Sequence, residues 1–227
     1  MPLIQVKNLV KTFVDGDKET RVLKGIDFSA EEGEWISIMG RSGAGKSTFM
    51  YQMSLLDDAT SGEIHLFGKD TYNMTADDKT RLRLNKLGYV FQDYALLPDL
   101  SALENVAVPL MMQGKYKREA YVAAKLSLER VGLCHRLANL PGQLSGGEQQ
   151  RTAIARALAH KPKILFADEP TANLDNESSR TVMKLFQEVH KQGQTIIMVT
   201  HEDEYSSLSE RIVLLDDGKI ISNKKVK

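Results

Sequence analysis

The segment Gly40-Arg41-Ser42-Gly43-Ala44-Gly45-Lys46-Ser47-Thr48 restricts this chain more than any other, because it matches G-x-x-x-x-G-K-[ST] directly after the apolar run Trp35 to Met39. Glycines at these positions let successive backbone N–H groups turn inward. The helix predicted to begin near Lys46 aims its unsatisfied donors and its positive dipole end at the same point. An anion of the phosphate type fits there. Lys46 is expected to hold the β and γ phosphates and Ser47 to offer its hydroxyl to Mg²⁺. A ligand-free Gly-rich turn is the bland alternative, and the flanking strand and helix weigh against it. Alone, the loop defines an NTP site and leaves open what the energy drives.

A buried strand feeding such a loop belongs to a mainly parallel sheet with helices on its faces, and the rest of the chain agrees. Leu3 to Leu9, Val22 to Ser29 and Glu63 to Phe67 are short, alternating or apolar runs that predict an antiparallel N-terminal region. From Ser101 to about Ala159 the spacing becomes helical over Arg118 to Val131 and Glu148 to Ala159, with Ala153, Ile154, Ala157 and Leu158 on one face. That stretch predicts a helical insertion. Ile164 to Ala167, Ser178 to Gln192, Thr195 to Thr200 and Arg211 to Leu215 then follow as strand, helix, strand, strand. The expected fold is therefore α/β: a P-loop NTPase core with a mainly parallel sheet, an N-terminal antiparallel β region and an inserted α-helical subdomain. The predicted organisation is one domain over 1–227, with 1–92 and 159–227 as a core lobe and about 93–158 as a helical lobe. Ligands in such sheets bind beyond the carboxyl ends of the strands, so the segments after Met39, Ala167 and Thr200 are expected to converge.

Ile164-Leu165-Phe166-Ala167-Asp168-Glu169 is an apolar strand ending in two carboxylates, with Pro170 stopping the ladder. Neighbouring side chains on a strand point to opposite faces, so the two acids are expected to take different tasks. Asp168 is assigned to Mg²⁺ and Glu169 to polarising the attacking water, a division that suits phosphoryl transfer. His201 ends the apolar run Thr195 to Thr200 and can reach a γ-phosphate or its water, whereas His65, His135, His160 and His190 read as structural. No Cys/His spacing suggests zinc.

Composition narrows the partners. Lys plus Arg number 30 and Asp plus Glu number 30, so no net field attracts nucleic acid, and none is expected as a partner. Cys134, the single cysteine, excludes an internal disulfide and suits a reducing compartment. No run approaches the roughly 20 apolar residues of a spanning helix, and MPLIQVKNLV lacks a signal-peptide layout. A soluble, cytoplasmic protein is expected.

Leu144-Ser145-Gly146-Gly147-Glu148-Gln149-Gln150-Arg151 opens an amphipathic helix with a second Gly-rich start, a second candidate anion site that one P-loop hardly needs. With this segment the chain closely resembles the ATP-binding cassette family, whose signature motif it matches. Phe13 stands where that family stacks an aromatic on adenine, Gln92 at its Q-loop, and Ala172-Asn173-Leu174-Asp175 at its D-loop. Asp99 to Val106, Ala107 to Leu110 and the signature resemble the lipoprotein-release and macrolide-export branch. Phe13 and Glu148 depart from the commoner Tyr and Gln. The resemblance implies that ATP and Mg²⁺ are bound, with Gln92, Ser47 and Asp168 near the metal and Phe13, Gly40 to Thr48, Ser145, Gly146, Gly147, Glu148 and Asp175 near nucleotide. It implies catalysis by Glu169, His201 and Lys46. It further implies a homodimer in which each signature closes over the other copy's nucleotide, and an integral membrane permease met around Tyr94 to Pro109, holding the protein at the inner face of the cell membrane. Leu96, Leu97, Pro98 and Leu100 have core as their default reading.

A repair or chromosome ATPase of the same family would carry a long coiled coil before the signature, and this insertion lacks sustained heptads. A translation type joins two cassettes in one chain. A regulatory module with little turnover is the remaining alternative. Asn85-Lys86-Leu87-Gly88 begins like the guanine-reading N-K-x-D pattern and lacks its Asp, against a GTPase.

Overall fold

The computed structural model describes residues 2–226. In chain order the elements are β1 (Ile4–Asp15), β2 (Lys18–Ala30), β3 (Trp35–Met39), α1 (Lys46–Met53), β4 (Ser61–Leu66), β5 (Lys69–Asp70), α2 (Ala76–Lys86), β6 (Leu87–Val90) and α3 (Ala102–Met112). They continue with α4 (Lys117–Arg130), a 3₁₀ turn Pro141–Gln143, α5 (Gly146–Leu158), β7 (Ile164–Asp168), α6 (Asn176–Lys191), β8 (Thr195–Val199), α7 (Asp203–Ser206), β9 (Arg211–Asp216) and β10 (Lys219–Lys225). The chain divides into two compact units, Met1–Arg81 with Gly193–Lys227, and Leu82–Gln192.

In the first unit β1 and β2 form a long antiparallel hairpin, Ile4 opposite Ala30 and Asp15 opposite Lys18, with β4 on the other edge of β1 and β5 beyond it. A second set of strands runs β10, β9, β3, β8. β3 lies between two parallel neighbours, Ile36 pairing with Ile197 of β8 and with Arg211 of β9, while β10 closes the edge antiparallel. Parallel strands covered on both faces have no solvent side for alternation to serve, which is why β8 is buried at every residue and β3 at all but Met39. α1 packs its fully buried Phe49 edge-on against Phe28 of β2, ring centroids 5.4 Å apart, a burial that contributes about 2 kcal/mol.

In the second unit β6 and β7 pair in parallel from Leu87 opposite Ile164 to Val90 opposite Ala167, and α5 packs on β6. α3, α4 and α5 pack on one another through Ala102, Val106 and Leu110, through Ala120, Ala124 and Leu128, and through Ala153, Ile154 and Ala157, each set at helical spacing. Leu158 is only half-buried. Ser101 and Glu104 close a capping box at the start of α3.

The α/β fold with an antiparallel N-terminal sheet and parallel-rich strands is the one expected, and the differences have local causes. The hairpin runs on past Leu9 and starts before Val22 through largely exposed residues that show no buried alternation. α2 buries no residue and so leaves no apolar period. α3 contains Pro109, which interrupts the reading of a helix although the helix accommodates it. Leu97 is 47% exposed and Pro98 is exposed, so the run from Leu96 to Leu100 is not core.

Candidate nucleotide site

The glycine loop is built by backbone demand. Gly40 has φ 151°, and a Cβ there would stand 2.1 Å from the Leu215 carbonyl oxygen, so only glycine permits the exit from β3. Gly43 and Gly45 also take positive φ, and Gly45 is the residue before α1. No side chain caps α1 and no acidic residue occupies its first turn. Its leading N–H groups are therefore not satisfied by a capping side chain or an acid of its own first turn. Lys46 is 7% exposed and donates to the carbonyls of Gly40 at 3.0 Å and Arg41 at 3.2 Å, folding its ammonium over the loop. Arg41, Ser42 and Gly43 are exposed, Ala44 is buried, and Ser47 and Thr48 are half-buried.

The same unit places His201 immediately beyond β8. Thr200, buried before it, donates its N–H to Ile38 of β3 at 3.2 Å, which fixes the imidazole's backbone beside the strand that ends in the loop. Phe13 stands on β1 opposite Thr20 and is 46% exposed.

In the second unit Asp168 is the last residue of β7 and is 4% exposed. Glu169 is half-buried with φ 43° and lies off the strand. Strand alternation therefore does not apply to the pair: Glu169 leaves the strand with a left-handed backbone, at a cost of about 1 kcal/mol or more for a non-glycine residue. Asp175 caps α6, accepting from the Ser178 N–H and the Ser178 hydroxyl, each at 2.9 Å, and these bonds hold its carboxyl below the usual range. Gln92 is exposed, and its carbonyl accepts from Asn173 Nδ2 at 3.0 Å. The Tyr94 hydroxyl donates in turn to the Asn173 carbonyl at 3.3 Å, so the segments around 92 and 173 are tied twice.

Ser145 is exposed at the N-cap of α5, where its hydroxyl accepts the Glu148 N–H at 3.3 Å while the Glu148 carboxylate accepts the Ser145 N–H at 2.9 Å. Glu148 also accepts from Arg136 Nε at 2.8 Å. The Ser145 N–H chiefly, and Arg136 with it, hold the Glu148 carboxyl below its ordinary value against the upward pull of burial. Gly146 is half-buried, its missing Cβ 2.9 Å from the Tyr94 hydroxyl. A Cβ at Gly147 would stand 2.5 Å from Ser178 Oγ, so close packing requires this glycine as much as any ligand would.

Sequence reasoning missed the groups that brace these loops. Arg156 of α5 donates to the carbonyls of Tyr94 at 2.9 Å and Ala95 at 2.5 Å, and both residues are left-handed, with φ 64° and 47°. Gln150 donates from full burial to the Pro170 carbonyl at 2.7 Å. Neither glycine nor a turn dipeptide marks the left-handed pair, so the sequence carries no signal for it. Among the described residues no group of three or more His, Cys, Asp or Glu could hold a metal by itself.

A glycine loop at the end of a parallel strand, leading into an uncapped helix, marks the P-loop class of nucleoside-triphosphate-binding proteins. Comparisons with known proteins narrow the class. Residues 23–172 match the family model described as ABC transporter. The lipoprotein-releasing system ATP-binding protein LolD of Aquifex aeolicus is 48% identical over 200 residues, covering 88% of this chain and 89% of that protein. The macrolide export ATP-binding/permease protein MacB of Chlorobium luteolum is 42% identical over 227 residues, 99% of this chain but 34% of its own length, so this chain spans about a third of that relative. The solved dimeric structure of a post-hydrolysis state of the ATP-binding cassette MJ0796, bound to ADP and Pi, matches with a TM-score of 0.92 at 39% identity over 99% of each chain. The chain belongs to the ABC transporter family, as an ATPase of the cassette type.

Proposed function

We propose that this chain binds Mg-ATP in the cradle of Gly40 to Thr48, hydrolyses it between two copies of itself, and drives a separately encoded membrane permease of the lipoprotein-release or macrolide-export kind. The observation that carries the reading is the uncapped start of α1, entered through a left-handed Gly45, beneath a buried Lys46 that folds over the loop's own carbonyls. A helix start with no side-chain cap and no acid in its first turn suits an anionic ligand, and a triphosphate is one. Lys46 turns from those carbonyls to the β and γ phosphates, and Phe13 stacks on the adenine. Ser47, Asp168 and Gln92 are the groups assigned to Mg²⁺, an ion that takes few protein ligands and fills its shell with phosphate oxygen and water. When bound, the ion neutralises charge developing on the phosphates.

Glu169 accepts the proton of the attacking water, and His201 hydrogen-bonds the γ-phosphate. Ser145, Gly146 and Gly147 of the facing copy close over that phosphate, with Glu148 and Asp175 shaping the loops that carry them. ATP thus favours the dimer, and loss of phosphate opens it. Support comes from the dimeric, ADP- and Pi-bound cassette to which this chain is similar, and from relatives named as ATP-binding parts of export and release systems. No helix of the described residues is long and apolar enough to cross a membrane, which fits a subunit held at the inner membrane face through its permease. In this reading 1–92 with 159–227 form the catalytic lobe, and about 93–158 the lobe whose exposed Leu97 region meets the permease.

Glu169→Gln tests the chemistry, because it keeps shape and removes the base. Turnover is expected to fall about a thousandfold, with a longer-lived ATP dimer on gel filtration. Undiminished turnover overturns the assignment.

A further inference from the structure

We propose that Lys11 is a positioning residue for base recognition: its ammonium braces one face of the Phe13 ring so that the other is presented to the purine of the nucleotide. The inference rests on the reading of Phe13 as the adenine platform.

β1 places the two residues two apart, and Lys11 Nζ lies 4.8 Å from the Phe13 ring centroid. An ammonium has three donors. Both Asp57 carboxylate oxygens hold it, at 2.8 Å from Oδ1 and 2.7 Å from Oδ2, and the Asp58 carbonyl oxygen accepts at 2.7 Å, so the cation is anchored beside the ring and attracts its π face by charge rather than by a spare donor. The Lys11 side chain is only 11% exposed, so the cation is largely withdrawn from water, where attraction to a ring is stronger than at a wet surface.

Asp57 is itself held. The fully buried Gln52 donates from Nε2 to Asp57 Oδ2 at 2.8 Å, and the Asp58 N–H donates to Oδ1 at 2.8 Å. Gln52 belongs to α1, the helix whose first turn is the phosphate cradle. The contacts therefore run from that helix through Gln52, Asp57 and Lys11 to Phe13, and they fix the base platform relative to the place where the phosphates sit. The charge acts as well as the bracing. A cation on one face of an aromatic ring draws down the negative potential of the other, which then repels the electron-rich face of a purine less.

Isothermal titration with Mg-ADP and with magnesium pyrophosphate separates base from phosphate, without turnover and without the γ-phosphate that closes the dimer. Lys11→Met is expected to weaken Mg-ADP about three- to tenfold and to leave pyrophosphate within about twofold, while Lys11→Arg keeps near wild-type affinity for both. Combined with Phe13→Ala, Lys11→Met should add no further loss. If Lys11→Met fails to fold, Asp57→Asn, which keeps the shape and weakens the anchor, carries the same pattern at smaller size. Three results overturn the proposal: equal weakening of both ligands, the same loss with and without the Phe13 ring, or no loss where Phe13→Ala alone weakens Mg-ADP. If Phe13→Ala leaves Mg-ADP binding intact, the platform reading itself fails and takes the proposal with it.

Discussion

The starts of α1 and α5 are both glycine-rich, and they meet the same need in opposite ways. At α1 the preceding residue is a left-handed glycine with no side chain to offer, no acid sits in the first turn, and the first helical residue is itself a lysine. At α5 the serine and glutamate of a capping box satisfy each other's backbone, and the carboxylate in the first turn is paired with Arg136. One terminus has no acid in its first turn and the other has one. The second candidate anion site at α5 thus differs in kind from the one at α1. Helix-end attraction, worth about 0.3–2 kcal/mol, is available to a ligand at α1, whereas at α5 Glu148 has taken most of it. On the proposed function, what α5 would offer a facing nucleotide is the exposed Ser145 hydroxyl and the Gly146 and Gly147 N–H groups outside the box.

Three variants test that contrast. Lys46→Ala should cost the most, about a hundredfold in nucleotide affinity by titration, with little change in thermal stability; retention of tight binding would mean the α1 terminus needs no cation beside it. Ser145→Arg should leave nucleotide binding by the single subunit within about twofold but abolish the ATP-dependent dimer on gel filtration, because the α5 terminus acts only on a facing copy. Unchanged dimerisation there would remove α5 from the shared site.

Glu148→Ala should have the smallest effect, about 1 kcal/mol of stability or some 2–4 °C in melting temperature. That loss should depend on pH. Since folding lowers this carboxyl's pKa, its contribution is complete above the unfolded value of about 4.3 and is lost as pH falls through the folded value. The gap between wild type and Glu148→Ala should close on the acid side and stay constant at neutral pH. A gap independent of pH would show that the box works by shape alone.

The phosphate cradle was legible in the sequence because its glycines are demanded by the backbone: Gly40 and Gly45 have no substitute at φ 151° and 97°. The acids at the end of β7 were legible by position. The turn that divides them was not, because nothing in Asp168-Glu169-Pro170 announces a left-handed glutamate. The Tyr94-Ala95 turn escaped for the same reason, being held by Arg156 sixty-odd residues away in sequence rather than by local chemistry. On the fold side, α2 was lost because a helix with no buried residue carries no period, and the outer half of the β1–β2 hairpin because it buries nothing, Phe13 and Val14 included. What sequence reports well is what backbone geometry or burial compels. Contacts between distant polar groups it leaves unmarked.

Gly147 has a last consequence. The space its missing Cβ would fill belongs to Ser178, and that same serine donates the hydroxyl bond to Asp175 at the head of α6. One added methyl group at 147 would shove Ser178 and so unseat the cap of a different helix. The two loops share a single clearance of atomic width, and neither can be re-cut without refitting the other.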